Sequence, residues 1–157
     1  MRSSPKNYST PQRANRHEAN MFKVNIIAVY DQSEQNLLMC FRSKDPYKGL
    51  YNLVGGKVED GEEGLLGAYR ELREETGIKR TDIKLAHLMD FEYHVDGVEL
   101  QVYVGRLNKD VNLVEEKHTL HWIPVTENLF SMKKFAGEGN IGHIHEVVTK
   151  YHDKLIA

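Results

Sequence analysis

One stretch of this chain, GKVEDGEEGLLGAYRELREETGI at residues 56–78, restricts the possible folds more than any other. Its apolar residues recur at helical spacing from Gly64 to Thr76, and Gly77 stands where a glycine that ends a helix is expected. At 100° per residue, the acidic side chains fall within one arc roughly 100° wide, and the apolar side chains fall in a neighbouring arc. The acidic arc holds Glu71, Glu74 and Glu75, and the apolar arc holds Leu65, Ala68, Tyr69 and Leu72. The stretch therefore predicts a helix with one face packed on a core and an acidic face beside it.

The acidic face is costly unless something neutralises it. Glu71 lies three residues before Glu74 and four before Glu75, and like charges at these spacings repel each other on a helix. A divalent cation would remove the repulsion, and carboxylate oxygens are hard ligands of the kind that Mg²⁺ or Mn²⁺ prefers. Arg70 and Arg73 offset part of the repulsion. A solvated acidic face on a surface helix is the alternative that this spacing alone leaves open.

The same stretch resembles the Nudix box, G-x5-E-x7-R-E-U-x-E-E-x-G-U with U aliphatic, at every defined position. The matching residues are Gly56, Glu62, Arg70, Glu71, Leu72, Glu74, Glu75, Gly77 and Ile78. The resemblance implies a Nudix hydrolase with an α/β fold, an α/β/α sandwich in which the box helix packs against a mixed β-sheet. It also implies a pyrophosphohydrolase, in which a metal-activated water cleaves a pyrophosphate bond in a nucleoside diphosphate linked to another group.

The resemblance implies a role for most defined positions of the box. The metal-binding groups would be the carboxylates of Glu71, Glu74 and Glu75 and the backbone carbonyl of Gly56, which is expected in a turn. Glu71 or Glu74 would also act in catalysis, one of the box glutamates serving as general base, and Arg70 would orient a catalytic glutamate by a charge-assisted hydrogen bond. Glu62 would contribute less, close to the metals or to the loop. The cofactor would be Mg²⁺, for which Mn²⁺ can substitute.

Many family members supply one more glutamate from a later loop, as a metal ligand or a base. Glu115 and Glu116 are the candidates, because they lie just before the predicted strand that carries Trp122. Glu116 is our preferred catalytic group, and a polar turn without a role in the site is the alternative. Arg42 and Lys44, on the loop before the box, fit either a phosphate contact or simple solvation.

The approach to the box carries the signals for the substrate. Tyr51-Asn52 precedes Gly55-Gly56-Lys57, which resembles the MutT-like branch that hydrolyses 8-oxo-dGTP. In that branch the asparagine can read a purine edge, so Asn52 is the predicted substrate-binding residue, with an ordinary strand-end asparagine as the alternative. Val54 replaces the proline that is common before the glycines. No proline lies between Pro46 and Pro124, which argues against the ADP-ribose hydrolases.

The leading hypothesis is a Mg²⁺-dependent enzyme that converts a (deoxy)nucleoside triphosphate, ordinary or oxidised, to the monophosphate and pyrophosphate. The second is a hydrolase of another compound linked to a nucleoside diphosphate, such as a nucleotide sugar or a dinucleoside polyphosphate. Tyr93 lies near where hydrolases of dinucleoside polyphosphates tend to carry a tyrosine, although a packing role in its strand is the alternative. The third hypothesis is a Nudix-fold module that binds a ligand without catalysis. Such relatives usually lose box glutamates, whereas all of them are present here.

Outside the box, strand and turn signals alternate along the chain. Predicted strands occupy Phe22–Tyr30, Leu37–Phe41, Tyr51–Val54, Ile83–Val95, Val98–Leu107 and Thr119–Ile123. Asp96-Gly97 is a strong signal for a hairpin between two of these strands. Helices are predicted for Thr126–Met132 and Ile141–Ile156. Strands around a central helix, with another helix at the end, indicate a layered domain on a mixed sheet.

Length and composition restrict the setting and the partners. A chain of 157 residues predicts one domain at residues 21–157, preceded at residues 1–20 by a polar tail that is disordered or tag-like. The net charge of −2 at pH 7 gives no basic footprint for a nucleic-acid polymer, so a small-molecule nucleotide is the expected partner of a monomer or homodimer. Because Cys40 is the one cysteine, no disulfide can form within the chain, and Cys40 is predicted to be a small buried residue. Without a membrane-length apolar run or a signal peptide, a cytoplasmic location is expected, with no membrane partner.

Overall fold

The structure of the protein is a computed structural model that describes residues 21–156. The predicted tail at residues 1–20 lies outside the described residues. Six strands and three helices form within the described range. The strands are β1 (Phe22–Tyr30), β2 (Asn36–Phe41), β3 (Tyr51–Lys57), β4 (Ala86–Tyr93), β5 (Val98–Arg106) and β6 (Leu120–Pro124), and the helices are α1 (Gly64–Thr76), α2 (Asn140–Lys150) and α3 (His152–Leu155). Between residues 21 and 156, the chain contains no helix with the length and hydropathy of a membrane span.

The six strands join one mixed sheet in the order β4-β5-β1-β3-β2-β6. β1 and β5 run parallel from the pair Phe22 and Val98 to the pair Tyr30 and Arg106, and the other neighbours are antiparallel. A parallel pair needs a long crossover, and the chain between β1 and β5 includes α1. Because β1 lies inside the sheet and is covered on both faces, its sequence is almost continuously apolar.

The sheet has a hydrophobic core on each face. Successive residues of β1 enter opposite cores, with Ile26 and Ala28 in the first and Ile27 and Val29 in the second. The first core also contains Ile141, Ile144 and Val148 of α2, and the second contains Ala68 and Leu72 of α1. A mixed sheet with a helix packed on each face confirms the predicted α/β/α sandwich. The bounds of α1 and β1 also agree with those predicted from the sequence.

The segment Thr126–Met132 forms turns, so the prediction of a short helix there is wrong. The side-chain oxygen of Asn128 accepts a hydrogen bond from the backbone N–H of Phe130 at 3.2 Å. The side chain therefore offers this donor a local partner that competes with the backbone bonds of a helix. The predicted helix Ile141–Ile156 is divided in two, because the backbone leaves the helical region at Tyr151, with φ −110° and ψ 27°.

The β4–β5 hairpin forms at the predicted Asp96-Gly97 turn. Tyr93 pairs with Val98 across it, and Gly97 has φ 65°, in the left-handed region that favours glycine. β4 begins at Ala86 rather than at the predicted Ile83, which makes only an isolated bridge to Leu107. The hairpin lies at one end of the strand order, and it forms a wall of the cavity described below.

Candidate active site

Helix α1 carries the acidic face of the box and packs on the sheet through its apolar face. Its first turn is capped by Glu63, whose carboxylate accepts a hydrogen bond from the N–H of Leu65 at 3.1 Å. It ends at Gly77, with φ 80°, whose N–H donates to the carbonyl of Arg73 at 2.9 Å. Together with the buried residues Ala68 and Leu72, these caps place the glutamates of the helix beside β3.

Arg70 joins the acidic groups to the loop that precedes the helix. Its Nε and Nη2 donate to the two carboxylate oxygens of Glu62, at 2.7 and 3.0 Å, as a bidentate pair. Its Nη1 donates to Glu71 at 3.0 Å and to Glu74 at 3.2 Å, and Nη2 also donates to the carbonyl of Lys57 at 2.9 Å. The bidentate pair with Arg70 lowers the pKa of the Glu62 carboxyl. Glu62 thus lies with the loop, and Arg70 makes the contact with box glutamates that the resemblance implies.

Glu75 is the most buried carboxylate of the acidic face. It is 9% exposed, and its carboxylate accepts a hydrogen bond from the N–H of Gly55 at 2.8 Å. Burial disfavours the charged form and raises the pKa of Glu75 to about 7. The charges of Glu71 and Glu116 also raise this pKa, whereas the hydrogen bond from Gly55 and the charge of Arg42 lower it in part. Burial also raises the pKa of Glu71. Carboxylates in this setting are stabilised as anions by a nearby cation.

Gly56 lies inside β3, so the prediction that it stands in a turn is wrong. It pairs with Asn25 of β1, and its N–H donates to Oδ1 of Asn25 at 3.0 Å. A Cβ atom on Gly56 would lie 2.7 Å from Oε2 of Glu71, closer than real Cβ atoms approach a neighbour. Glycine is required here because the strand backbone and the carboxylate come so close together.

The carboxylates of α1 have the chemistry that a divalent cation requires. Between residues 21 and 156, no three His, Cys, Asp or Glu side chains converge closely enough to hold a metal in their present rotamers. Glu71 and Glu74 turn toward Arg70, and Glu75 turns toward Gly55. The donor set still fits Mg²⁺ or Mn²⁺, because it consists of hard carboxylate oxygens beside a strand backbone that carries no side chain at Gly56.

The two later glutamates have different surroundings. Glu115 accepts a hydrogen bond from the N–H of Leu120 at 2.8 Å and so holds the start of β6. Glu116 is exposed, and it is close enough to Glu75 for its charge to raise the pKa of that carboxyl. Glu115 is therefore engaged at the start of β6, and the role of Glu116 as an additional acidic group stays a prediction.

Positive charges face the acidic groups from the neighbouring loops. Burial and the charges of Arg42, Lys117 and Lys44 lower the pKa of His118. The charge of Arg42 opposes the rise in the pKa of Glu75, and the charge of Lys117 opposes the rise in the pKa of Glu71. These cations therefore lie where they can attract an anionic substrate toward the carboxylates.

A cavity of about 530 Å³ opens beside Gly55 and Gly56. Its walls come from β1, β2, β3, the β4–β5 hairpin, the loop after β2 and the segment that leads into α2. The lining is mainly apolar and also includes amide, phenol and charged side chains, of which Glu75 belongs to α1. This combination is typical of a small-molecule site, and Glu75 connects it to the acidic face.

Two side-chain hydrogen bonds span the rim of the cavity. The hydroxyl of Tyr47 donates to Glu138 at 2.8 Å, and Nδ2 of Asn140 donates to the hydroxyl of Tyr93 at 2.6 Å. All four residues line the cavity. Burial, helped by Glu138, raises the pKa of Tyr47 to about 12, so this phenol stays protonated. The bonds link the loop after β2 and the hairpin to the segment around the start of α2.

Two residues singled out in the sequence lie on the cavity. Asn52, the predicted substrate-binding residue, lines it, and its Oδ1 accepts a hydrogen bond from the N–H of Leu53 at 2.8 Å. Cys40 also lines the cavity and is 3% exposed, which confirms the prediction of a small buried residue. Burial raises the pKa of its thiol to about 11, so the thiol is neutral at pH 7.

The sequence did not identify Asn25, Tyr47 or Glu138 as part of this region. Asn25 had a signal, because it is a polar residue within the apolar strand FKVNIIAVY. Tyr47 and Glu138 stand in irregular segments far apart in the chain, and neither shows a pattern that would bring the two together.

The model of the NUDIX domain family matches residues 20–141 of the chain. The chain therefore belongs to the Nudix hydrolase family, which confirms the resemblance seen in the box. The enzyme class predicted from the box, a pyrophosphohydrolase, agrees with this membership.

Solved structures of several relatives share the fold. A MutT described for Aliivibrio salmonicida and Vibrio cholerae is 20% identical, with 83% of this chain and 98% of that chain covered and a TM-score of 0.64. An Ap4A hydrolase of C. elegans in a binary complex is 14% identical, with coverage of 83% and 96% and a TM-score of 0.62. The dihydroneopterin triphosphate pyrophosphohydrolase of E. coli is 19% identical, with coverage of 82% and 95% and a TM-score of 0.64. At these identities the likeness shows a common fold and leaves the substrate open.

Proposed function

We propose that the protein is a Mg²⁺-dependent hydrolase that converts a (deoxy)nucleoside triphosphate to the monophosphate and pyrophosphate. The observation that carries the proposal is that the acidic face of α1 and the cavity meet at Gly55, Gly56 and Glu75. A substrate whose base occupies the cavity would have its phosphates beside the carboxylates and beside Arg42. Membership in the Nudix family supports cleavage of a pyrophosphate bond.

We assign the cation to the carbonyl of Gly56 and the carboxylates of Glu71, Glu74 and Glu75. Bound there, Mg²⁺ would activate a water and stabilise negative charge on the phosphates. Arg70 orients Glu71 and Glu74, because its Nη1 donates to both. Removal of Arg70 would leave these carboxylates unpositioned as well as less well neutralised.

The reaction balances as a hydrolysis. The oxygen of a water forms a bond to one phosphorus while the anhydride P–O bond breaks. The leaving group departs with the electron pair of that bond, and it is pyrophosphate for attack on the α-phosphorus or the nucleoside monophosphate for attack on the β-phosphorus. The proton released from water passes to a carboxylate, for which Glu71 or Glu74 on the box is the candidate. Glu116 is the candidate for an additional base, because family members often supply one more glutamate from a later loop and Glu115 is engaged with Leu120.

The character of the cavity supports a nucleotide with a neutral ring. Its lining is mainly apolar, and Asn52 offers both a donor and an acceptor to a base. The E. coli relative is named for dihydroneopterin triphosphate, a heterocycle with a triphosphate, which supports the same substrate class. A dinucleoside polyphosphate is the second candidate, because Tyr93 lies at the rim of the cavity and the C. elegans relative is named for Ap4A. A cytoplasmic location, a monomer or homodimer, and no nucleic-acid or membrane partner stay predictions.

Chromatographic separation of the products formed with Mg²⁺ or Mn²⁺ tests the proposal, because only some substrates of the panel would release free phosphate or pyrophosphate. The panel should contain ordinary and 8-oxo nucleoside triphosphates, ADP-ribose, nucleotide sugars and dinucleoside polyphosphates. Glu75→Gln removes a proposed ligand without changing the size of the side chain. Glu146→Gln, an exposed position on α2, is the matched control.

We expect metal-dependent release of pyrophosphate from a nucleoside triphosphate, lost in Glu75→Gln and retained in Glu146→Gln. Turnover of dinucleoside polyphosphates alone would replace the first candidate with the second. Metal and nucleotide binding without turnover of any member of the panel would favour the Nudix-fold binding module instead.

A further inference from the structure

A second cavity, of about 410 Å³, opens at the other end of the sheet from the first cavity beside Gly55 and Gly56. The lining residues of this basic cavity are Gln32, Lys84, Arg106, Leu107, Asn108, Leu155 and Ile156, and none of them lines the first cavity. Along β1, the first cavity reaches Ile26, whereas Arg106 pairs with Tyr30. These two positions on β1 are roughly 13 Å apart, at about 3.3 Å per residue. The two cavities are therefore separate sites.

Lys84 and Arg106 lie on the same side of the sheet in the basic cavity. Ile83 and Leu85, which flank Lys84, are buried in the second core, so the side chain of Lys84 points to the opposite side. Leu107 is also in the second core, and Arg106, the residue before it, alternates in the same way. An antiparallel bridge between Ile83 and Leu107 places Lys84 opposite Arg106. Like charges that oppose each other across two strands are destabilising.

The described residues compensate this positive charge only in part. Among residues 21–156, no Asp or Glu lines the basic cavity, and Lys84 makes no ion pair. Arg106 donates through Nη1 to Glu34, but that carboxylate also lies 2.6 Å from Nε2 of His152. A guanidinium has five N–H donors, so Arg106 keeps donors for a further acceptor. By contrast, three carboxylates and one guanidinium line the first cavity.

The rest of the lining suits an organic molecule that carries the anion. Gln32 adds a side-chain amide with N–H donors, and Leu155 and Ile156 add apolar surface that continues the first core. The volume of about 410 Å³ exceeds that of a bare inorganic anion and falls within the range of about 300–1,000 Å³ for small-molecule sites. The cavity therefore combines an anion-binding end with an apolar wall.

We propose that the basic cavity binds a small organic phosphate, with the phosphate group between Lys84 and Arg106. Its organic part would lie against Leu155 and Ile156. A phosphate monoester suits the two cations better than a carboxylate, because it carries about −1.5 to −2 charges at pH 7 and presents three acceptor oxygens. The planar fork of an arginine and the point charge of a lysine both bind phosphate. The site is separate from the carboxylates of α1, so the inference does not depend on the proposed function.

Phenyl phosphate is the probe that tests the site. It joins a phosphate monoester to an apolar ring, and it contains no pyrophosphate bond for the proposed reaction to cleave. Benzoate is the matched carboxylate with the same ring. Amide NMR spectra of the isotope-labelled full chain would follow both titrations in metal-free buffer at constant ionic strength, because exposed charges are screened by salt. We expect saturable shifts at Gln32, Leu107 and Asn108 with phenyl phosphate, and binding of benzoate weaker by about fivefold or more.

Variants separate a built site from general attraction to a positive surface. Lys84→Gln removes one of the two cations from an exposed position and should raise the Kd for phenyl phosphate by about fivefold. Gln32→Glu places a carboxylate in the cavity without changing the size of the side chain and should abolish saturable binding. Lys133→Gln, an exposed lysine that lines neither cavity, removes the same charge and should keep the wild-type Kd. Circular dichroism would show that each variant is folded.

Several outcomes would overturn the inference. Shifts that spread over the surface without saturation would mean that the basic cavity is not a site. Shifts confined to Gly55 and Gly56 would place the anion in the first cavity instead. An equal Kd for Lys84→Gln and Lys133→Gln would exclude Lys84 as a ligand, and benzoate binding as tightly as phenyl phosphate would refute the assignment to a phosphate.

Discussion

Two regions of different character meet at Gly55 and Gly56. The acidic face of α1 is charged, and its groups are joined to one another, since Arg70 alone donates to Glu62, Glu71 and Glu74. The cavity has a mainly apolar lining, with amides, phenols and the charged side chains of Arg42, Glu75, Asp96 and Glu138 among its residues. The first region suits a cation and phosphates, and the second suits a neutral ring.

The acidic face and the cavity are encoded in the sequence in different ways. The acidic face comes from one continuous helix, so the spacing of a few residues defines it. The cavity draws on strands and loops that are far apart in the chain. We therefore expect substitutions on the acidic face to change the rate for every substrate, and substitutions in the cavity to change which substrate is used.

Glu71→Gln should have the largest effect. We expect kcat to fall on the order of a thousandfold for all substrates, because a proposed ligand of the cation is lost and the cation would no longer be held to stabilise charge on the phosphates. Steady-state kinetics at saturating Mg²⁺ would measure the change, with circular dichroism to show that the fold is kept. A loss confined to one substrate would contradict the division between the two regions.

The pH dependence of stability should show the next largest effect. Without metal, the pKa of Glu75 is about 7 in the folded protein, against an ordinary value of 4.5. The folded state thus favours the protonated carboxyl, and this contribution is fully present below pH 4.5 and lost as the pH rises through 7. The loss amounts to roughly 3 kcal/mol.

Urea unfolding at pH 5 and pH 8 in EDTA would measure this contribution. Glu75→Gln should be more stable than the wild type at pH 8 relative to pH 5, whereas Glu146→Gln should follow the wild type. Parallel profiles for the wild type and Glu75→Gln would show that Glu75 is not held as a buried carboxyl.

Gly56→Ala should lower kcat by about a hundredfold, because the added methyl displaces the Glu71 carboxylate. The same substitution made in the Glu71→Gln background tests the cause. If the effect acts through Glu71, the second loss should nearly vanish in a double-mutant cycle. Fully additive losses would mean that the methyl disturbs the strand instead.

Cys40→Ser, on the cavity side, should have the smallest effect. Burial of a hydroxyl in place of the thiol should lower the free energy of unfolding by about 1 kcal/mol, which urea unfolding would measure. Turnover should stay within about twofold, because a thiol with a pKa of about 11 is neutral at pH 7. A folded but inactive variant would reveal a role for the thiol in the reaction.

The parts of the fold that could be predicted are those encoded locally. The bounds of α1 followed from its apolar spacing and from Gly77, and the hairpin followed from Asp96-Gly97. The prediction of a helix at Thr126–Met132 was wrong. The apolar spacing of a short segment does not reveal the hydrogen bond from the N–H of Phe130 to the Asn128 side chain. Long, capped elements are therefore more predictable than short ones.

The candidate site divides in the same way. The spacing of Glu71, Glu74 and Glu75 was visible because all three lie on one helix. The placement of Gly56 inside β3 and the partner of Asn25 depend on the pairing of β1 with β3, which no local pattern specifies. No local pattern distinguishes Glu115, which accepts a hydrogen bond from the N–H of Leu120, from its neighbour Glu116.

The β4–β5 hairpin has a consequence for how such an enzyme changes over evolutionary time. Tyr93, Asp96 and Val98 belong to a wall of the cavity, yet the adjacent turn residue Val95 is fully exposed and β4 is an edge strand. Insertions at an exposed turn cost little stability, since loop closure depends only weakly on length. A lineage can therefore acquire new substrates by lengthening or shortening this turn, while the box and both cores stay unchanged.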